Sequence, residues 1–84
     1  MYKIQILKSA DKTLKNVVQK DRIKIVEHIS QLADNPRPLG CKKLKGTEFY
    51  RIRIGDYRVI YKIEEDDILL ILVIRIGHRK GIYK

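Results

Sequence analysis

The sequence predicts a two-layer α+β domain in the order β-α-α-β-β-β, with two N-terminal helices packed on one face of a largely antiparallel sheet. Three observations lead there. Apolar residues recur at helical spacing only between Ala10 and Ala33. From Glu48 onward the apolar period switches to two. A Gly55-Asp56 pair, glycine first, separates two of the alternating runs and has the signature of a type II′ hairpin loop.

Each element follows from its residues. Tyr2, Ile4 and Ile6 alternate with Lys3, Gln5 and Lys8, which predicts a first strand with one buried face. Ser9 is placed to cap the next helix, whose apolar set is Ala10, Leu14, Val17 and Val18. A second helix starts near Asp21, read as its N-cap. Its stripe is Ile25, Val26, Ile29, Leu32 and Ala33, and Asn35-Pro36 stops it. His28 reads as a helix-surface residue. Arg37–Thr47 reads as a lysine-bearing loop. In the first C-terminal strand Tyr50, Ile52 and Ile54 share one face, and Phe49, Arg51 and Arg53 the other. In the returning strand Tyr57, Val59, Tyr61 and Ile63 alternate with Arg58, Ile60 and Lys62. Glu64–Asp67 marks a turn, and Ile68–Ile76 is apolar on both faces, as a central, covered strand would be.

Length and composition narrow the class. The 84 residues suit a single domain spanning residues 1–84. A chain of this size buries only about 60–65% of its unfolded surface, so one modest core must carry it. The longest apolar run, Ile68–Ile74, is far too short to span a bilayer, and the N-terminal residues lack the apolar stretch of a signal peptide. One cysteine, Cys41, excludes an internal disulfide and gives no metal-ligand spacing, so no metal or cofactor is expected. These features predict a cytoplasmic protein with no membrane partner.

The charge is +9, from 19 basic and 10 acidic residues. Four of the six acids after residue 34 sit together at Glu64–Asp67, which leaves the rest of that half strongly positive. Such a field favours a polyanion through phosphate contacts and counterion release. With the apolar face of the sheet given to the helices, Arg51, Arg53, Arg58 and Lys62 are left on the open face. A guanidinium grips phosphate at two points and stays charged. Exposed edge charges that discourage sheet-to-sheet aggregation are the plainer reading. Five arginines within 29 residues (51, 53, 58, 75 and 79) favour phosphate binding, with Lys43, Lys45 and Lys62 as further contacts.

Cleaving RNA through its own 2′-hydroxyl requires a base, stabilisation of a phosphorane-like transition state, and an acid for the leaving 5′-oxygen. Arginine supplies the second and cannot act as a base. The nearby groups able to exchange protons are His78, Tyr83, Lys80 and the loop lysines Lys42, Lys43 and Lys45. Imidazole titrates near neutrality. A tyrosine base needs its phenol, normally near 10, lowered by surrounding arginines.

The order of elements, the loop from Pro36 to Gly46, the strand pair FYRIRIGDYRVIY and the ending IGHRKGIY together resemble the RelE/ParE toxin superfamily, and within it the RelE branch. The resemblance covers essentially the whole chain, and GDYRVIY and GHRKGIY are its most specific parts. It implies a toxin of a bacterial or archaeal toxin–antitoxin pair that enters the ribosomal A site and cuts mRNA, leaving a 2′,3′-cyclic phosphate and a 5′-hydroxyl. By that resemblance Arg58 stabilises the transition state, Arg79 is a second phosphate-binding arginine, and Tyr83 is the proposed base. His78 matches relatives with a histidine in this motif. Arg51 and Arg53 occupy strand positions where RelE carries lysines, so proton transfer would pass to His78 or Tyr83. Lys84 alone follows Tyr83, which fits an exposed catalytic tail. The resemblance further implies a cognate acidic antitoxin that occludes the basic face, with the ribosome and mRNA as the other partners. The alternative within the same superfamily is a ParE-like inhibitor of DNA gyrase, a binding protein without chemistry.

Overall fold

A computed structural model of the protein describes residues 1–78. Its elements run β1 (Lys3–Ile6), α1 (Lys8–Lys15), α2 (Gln19–Gln31), β2 (Lys42–Lys43), β3 (Phe49–Ile54), β4 (Tyr57–Glu64) and β5 (Leu70–His78). They form one mixed sheet in the order β1-β5-β4-β3-β2, antiparallel except where β1 runs parallel to β5. The predicted two-helix, one-sheet architecture stands, with one strand more than the sequence suggested.

Both helices cover the same face. Ala10, Leu14 and Val17 descend from the first helix and its exit, and Ile25, Ile29 and Leu32 from the second. They meet Ile52, Ile54, Val59, Tyr61, Ile71, Val73 and Ile76 of the sheet in one core. Fully burying each such aliphatic side chain is worth roughly 1.5–3 kcal/mol, and in so small a domain these few contacts decide stability. Among the described residues the other sheet face carries no helix.

Several local expectations are corrected. The first helix begins at Lys8, so Ser9 lies inside it. The cap position is Leu7, extended at φ −60°, ψ 148° and with no side-chain cap. Ser9 instead offers its carbonyl to the Thr13 hydroxyl at 3.2 Å. The second helix begins at Gln19 behind Val18, two residues ahead of the predicted Asp21 cap. Val18 and Val26, read as core, are 65% and 43% exposed. The reason is phase: only three residues, Asn16 to Val18, separate the helices, and the stripe that meets the sheet is Ile25, Ile29 and Leu32. His28 is exposed, with Nδ1 2.8 Å from the Lys24 carbonyl oxygen.

The segment read as a loop contains β2, whose Lys42 and Lys43 pair with Arg51 and Tyr50. The Gly55-Asp56 hairpin matches its signature. Gly55 has φ +60°, and no non-glycine residue among those described has positive φ. The last strand begins at Leu70, later than expected, and leaves Ile68 and Leu69 exposed in the turn. It is central, between β1 and β4, yet covered on one side only: Leu70, Leu72 and Ile74 on its far side are half-buried.

Candidate nucleic-acid interface

The open face is organised by register. In β3 and β4 the uncovered positions are Phe49, Arg51, Arg53 and Arg58, Ile60, Lys62, as alternation predicts. Cross-strand pairing sets Arg53 opposite Arg58, and Arg58 opposite Gly77. One step along, Lys42 pairs with Arg51, Arg51 with Ile60, and Ile60 with Arg75. The face therefore carries two adjacent rows, Arg53–Arg58–Gly77 and Lys42–Arg51–Ile60–Arg75.

Arg75 reaches this face only through an irregularity. The β4–β5 register shifts between Ile60 and Tyr61, whose partners are Arg75 and Val73, leaving Ile74 as an extra residue in β5. Such a bulge re-phases everything beyond it. Ile71 and Val73 face the helices before it and Ile76 after it, so Arg75 turns outward and is exposed. Without the bulge, strict alternation would put Arg75 on the core side with Ile71 and Val73.

Arg53 and Lys42 are exposed, and Arg51 and Arg58 are half-buried. Ile60 is only 7% exposed although it sits in the uncovered row, as an apolar floor flanked by long aliphatic stems would be. The next row, Phe49–Lys62–Leu72, ends the cationic region. Lys62 pairs with Glu48 at 3.1 Å and Glu64 at 3.4 Å. The hydrogen bond to Glu48, and then that to Glu64, raise its pKa above the ordinary lysine value. Lys62, predicted as a phosphate contact, is thus already matched by two carboxylates. Positive charge concentrates at the hairpin end of the face and negative charge at the Glu64–Asp67 end.

Two further predicted positions lie elsewhere. Lys43 pairs with Tyr50, on the helix-facing side; the outward position belongs to Lys42, which the sequence reading had not included among the phosphate contacts. Lys45 is exposed in the turn after β2, which Gly46 allows with φ +78°. His78 pairs with Tyr57 and meets its ring edge-on at 5.6 Å, also on the helix-facing side. Beside it a small pocket of about 290 Å³ is lined by Asp21, Lys24, Asp56 and Tyr57. The structure thus joins Arg51, Arg53, Arg58 and Arg75 on one face and sets His78 behind it. Arg79 and Tyr83 lie outside the described residues. Among the described residues no three His, Cys, Asp or Glu side chains gather as metal ligands would.

At the far end of the sheet a polar clasp joins three segments. Glu65 accepts hydrogen bonds from Arg37 Nη2 at 2.7 Å and the Tyr2 hydroxyl at 2.6 Å. Arg37 also donates through Nε to the Tyr50 hydroxyl at 3.3 Å, and the buried Tyr61 donates to the Pro36 carbonyl at 2.6 Å. These bonds tie the start of the loop that leads into β2, at Pro36 and Arg37, to the sheet.

The comparisons with known proteins agree with this geometry. The sequence model of a family described as the ParE toxin of the type II toxin–antitoxin system parDE matches residues 4–83. A chain named RelE1 in Methanocaldococcus jannaschii is 38% identical, over 99% of this chain and 96% of its own length. Toxin RelE3 of the same organism is 36% identical, over 96% and 94%. Among solved structures, that of an archaeal RelE–RelB complex from Pyrococcus horikoshii OT3 contains a chain 30% identical to this one. It superposes with a TM-score of 0.83 and covers 95% of this chain and 97% of its own. A five-stranded sheet with two helices on one face and arginines on the other, matched over nearly its full length by RelE chains, belongs to the RelE/ParE family of type II toxin–antitoxin toxins, on its RelE side.

Proposed function

We propose that this toxin is a ribosome-dependent endoribonuclease that cuts mRNA in the A site. The observation that carries the reading is the pair of cationic rows, in which four arginines from three strands share one open face. The reaction is transesterification: the 2′-oxygen attacks phosphorus, the P–O5′ bond breaks, and a 2′,3′-cyclic phosphate and a 5′-hydroxyl result. Arg58, held between Arg53 and the side-chain-free Gly77, is suited to stabilise the phosphorane-like transition state. Arg51, Arg53 and Arg75 grip the flanking backbone, and Arg79 joins them by resemblance.

Proton transfer falls first to Tyr83, because His78 pairs with Tyr57 on the helix-facing side. Rows of arginine favour the charged form of a phenol brought near them, which is what a tyrosine base needs. With arginine at both 51 and 53, β3 offers no lysine to move a proton, and a ribosome that fixes the RNA in a near-attack geometry compensates, since orientation alone is worth several kcal/mol. The partner that restrains the toxin is a RelB-like antitoxin, as in the Pyrococcus horikoshii complex. An acidic, partly disordered segment that folds over the cationic rows would complement the +9 charge.

The gyrase-inhibitor alternative is not favoured, because the relatives at 36–38% identity carry the RelE name. Induced expression tests the choice. Growth should arrest with loss of protein synthesis, Arg58→Ala should abolish the arrest, and gyrase supercoiling should be unaffected by the purified chain. Gyrase inhibition, or full toxicity of Arg58→Ala, would overturn the proposal.

A further inference from the structure

The two rows are separated by two residues along each strand, about 6.8 Å at ~3.4 Å per residue. That separation is comparable to the spacing of successive phosphates in an extended single strand. Each row has its own cations. Arg53 and Arg58 belong to the hairpin-proximal one, and Lys42, Arg51 and Arg75 to the next. The second row spans four strands, so Lys42 and Arg75 start about 14 Å apart, at ~4.8 Å per strand, on opposite sides of Ile60. Long side chains from both ends can close over that apolar floor, where a charge-assisted hydrogen bond is stronger than in open water. Lys42 and Arg75 form no ion pair among the described residues, whereas Lys62 in the third row has two. The cationic track is therefore bounded at two rows.

We propose that Lys42, Arg51 and Arg75 form a second phosphodiester subsite, so that the open face holds two successive phosphates of the substrate strand. The scissile phosphate lies in the Arg53–Arg58 row and its neighbour in the Lys42 row. This deepens the nuclease reading and rests on it for which phosphate is cut. The sequence hides Lys42 because it lies in a two-residue strand, and because its neighbour Lys43 has the same charge and the opposite face.

That neighbour supplies the test. Binding of the purified chain to a 2′-O-methyl RNA hexamer, which cannot be cleaved, is measured by fluorescence anisotropy across a salt series. Lys42→Ala should flatten the slope of log K against log salt by about 0.7, the value for one phosphate contact on a single strand. Lys42→Arg should restore it. Lys43→Ala, the same charge removed one residue along, should change the slope by much less. A neutral methylphosphonate placed at each linkage in turn should erase the Lys42→Ala effect at one linkage and the Arg53→Ala effect at the adjacent one. Equal losses for Lys42→Ala and Lys43→Ala, or no linkage that singles out Lys42, would overturn the subsite. A Lys42-specific loss seen only with ribosomes, and not with the hexamer, would also overturn it as a substrate subsite, by assigning that phosphate to ribosomal RNA. The readout is independent of cleavage. The Lys42 pattern without mRNA cutting would sink the nuclease reading alone, and cutting without the pattern would sink this inference alone.

Discussion

Arg58 is half-buried between Arg53 on one neighbouring strand and Gly77 on the other, a setting that aims a guanidinium rather than merely supplying charge. Replacing it by alanine should lower mRNA cleavage on ribosomes by roughly 10²–10³-fold, the usual cost of losing one transition-state donor. Arg58→Lys should recover only part, because an ammonium lacks the planar fork. Single-turnover cleavage rates decide this, with circular dichroism confirming the fold. A second residue bears on stability alone. Tyr61 is fully buried, and its burial pushes the phenol well above the ordinary tyrosine value, so it remains a neutral donor to the Pro36 carbonyl. Tyr61→Phe should cost about 1 kcal/mol in urea denaturation, and unchanged stability would show that the bond contributes nothing. At this scale the sequence was legible where strands are long and unbroken. Arg51, Arg53 and Arg58 fell on the right face from alternation alone. Lys42 did not, because two residues carry no period and only the pairing with Arg51 assigns a side. Residue type alone marks His78 as a candidate for proton exchange, but its face depends on the bulge before it.

The bulge at Ile74 and the clasp at Glu65 are features of elements rather than of side chains. Deleting Ile74 removes the extra residue, so that Val73, Arg75 and Ile76 alternate regularly and Arg75 stays on the open face. The deletion variant should therefore keep its fold in a thermal melt. Loss of the fold would show that the bulge does more than set the phase of this strand. At the clasp, the Arg37 hydrogen bond, followed by that from Tyr2, holds the Glu65 carboxyl below the ordinary value of 4.5. A carboxyl with a lowered folded pKa stabilises the fold fully above the ordinary range and loses that contribution as pH falls through the lowered value. The Tm gap between the parent and Glu65→Gln should therefore be widest near neutrality and close in acid below that range; a gap that stays constant into acid would contradict the clasp. Neither feature is visible in the sequence, since a bulge is a relation between two strands and the clasp joins Tyr2, Arg37 and Glu65 across the whole chain. The helix starts were misread for a related reason. Ser9 and Asp21 are good cap residues by type, but the backbone turns at Leu7 and Val18, whose extended conformations begin the helices without a side-chain cap.

Across the molecule, the helices take one sheet face and leave the other polarised, cationic toward the Gly55 hairpin and acidic toward the 65–69 turn. The number and order of the main elements were legible because each has a distinct period and a strong breaker, Asn35-Pro36 or Gly55-Asp56, at its end. The parallel pairing of β1 with β5 was not, because nothing local tells a strand which distant partner it meets. That pairing makes β5 central, while the pairing of β5 with β4 sets Arg75 opposite Ile60, one row from Arg58. On the proposed reading such a face would hold RNA backbone without reading bases, so selectivity for a cut site would come from whatever presents the strand. Primer extension on a defined mRNA, with the purified chain and with or without programmed ribosomes, tests that claim most directly. Cuts within A-site codons are expected only when ribosomes are present, and they should be lost with Arg58→Ala. A folded chain that cuts nothing on ribosomes, or that cuts free mRNA equally well, would contradict it.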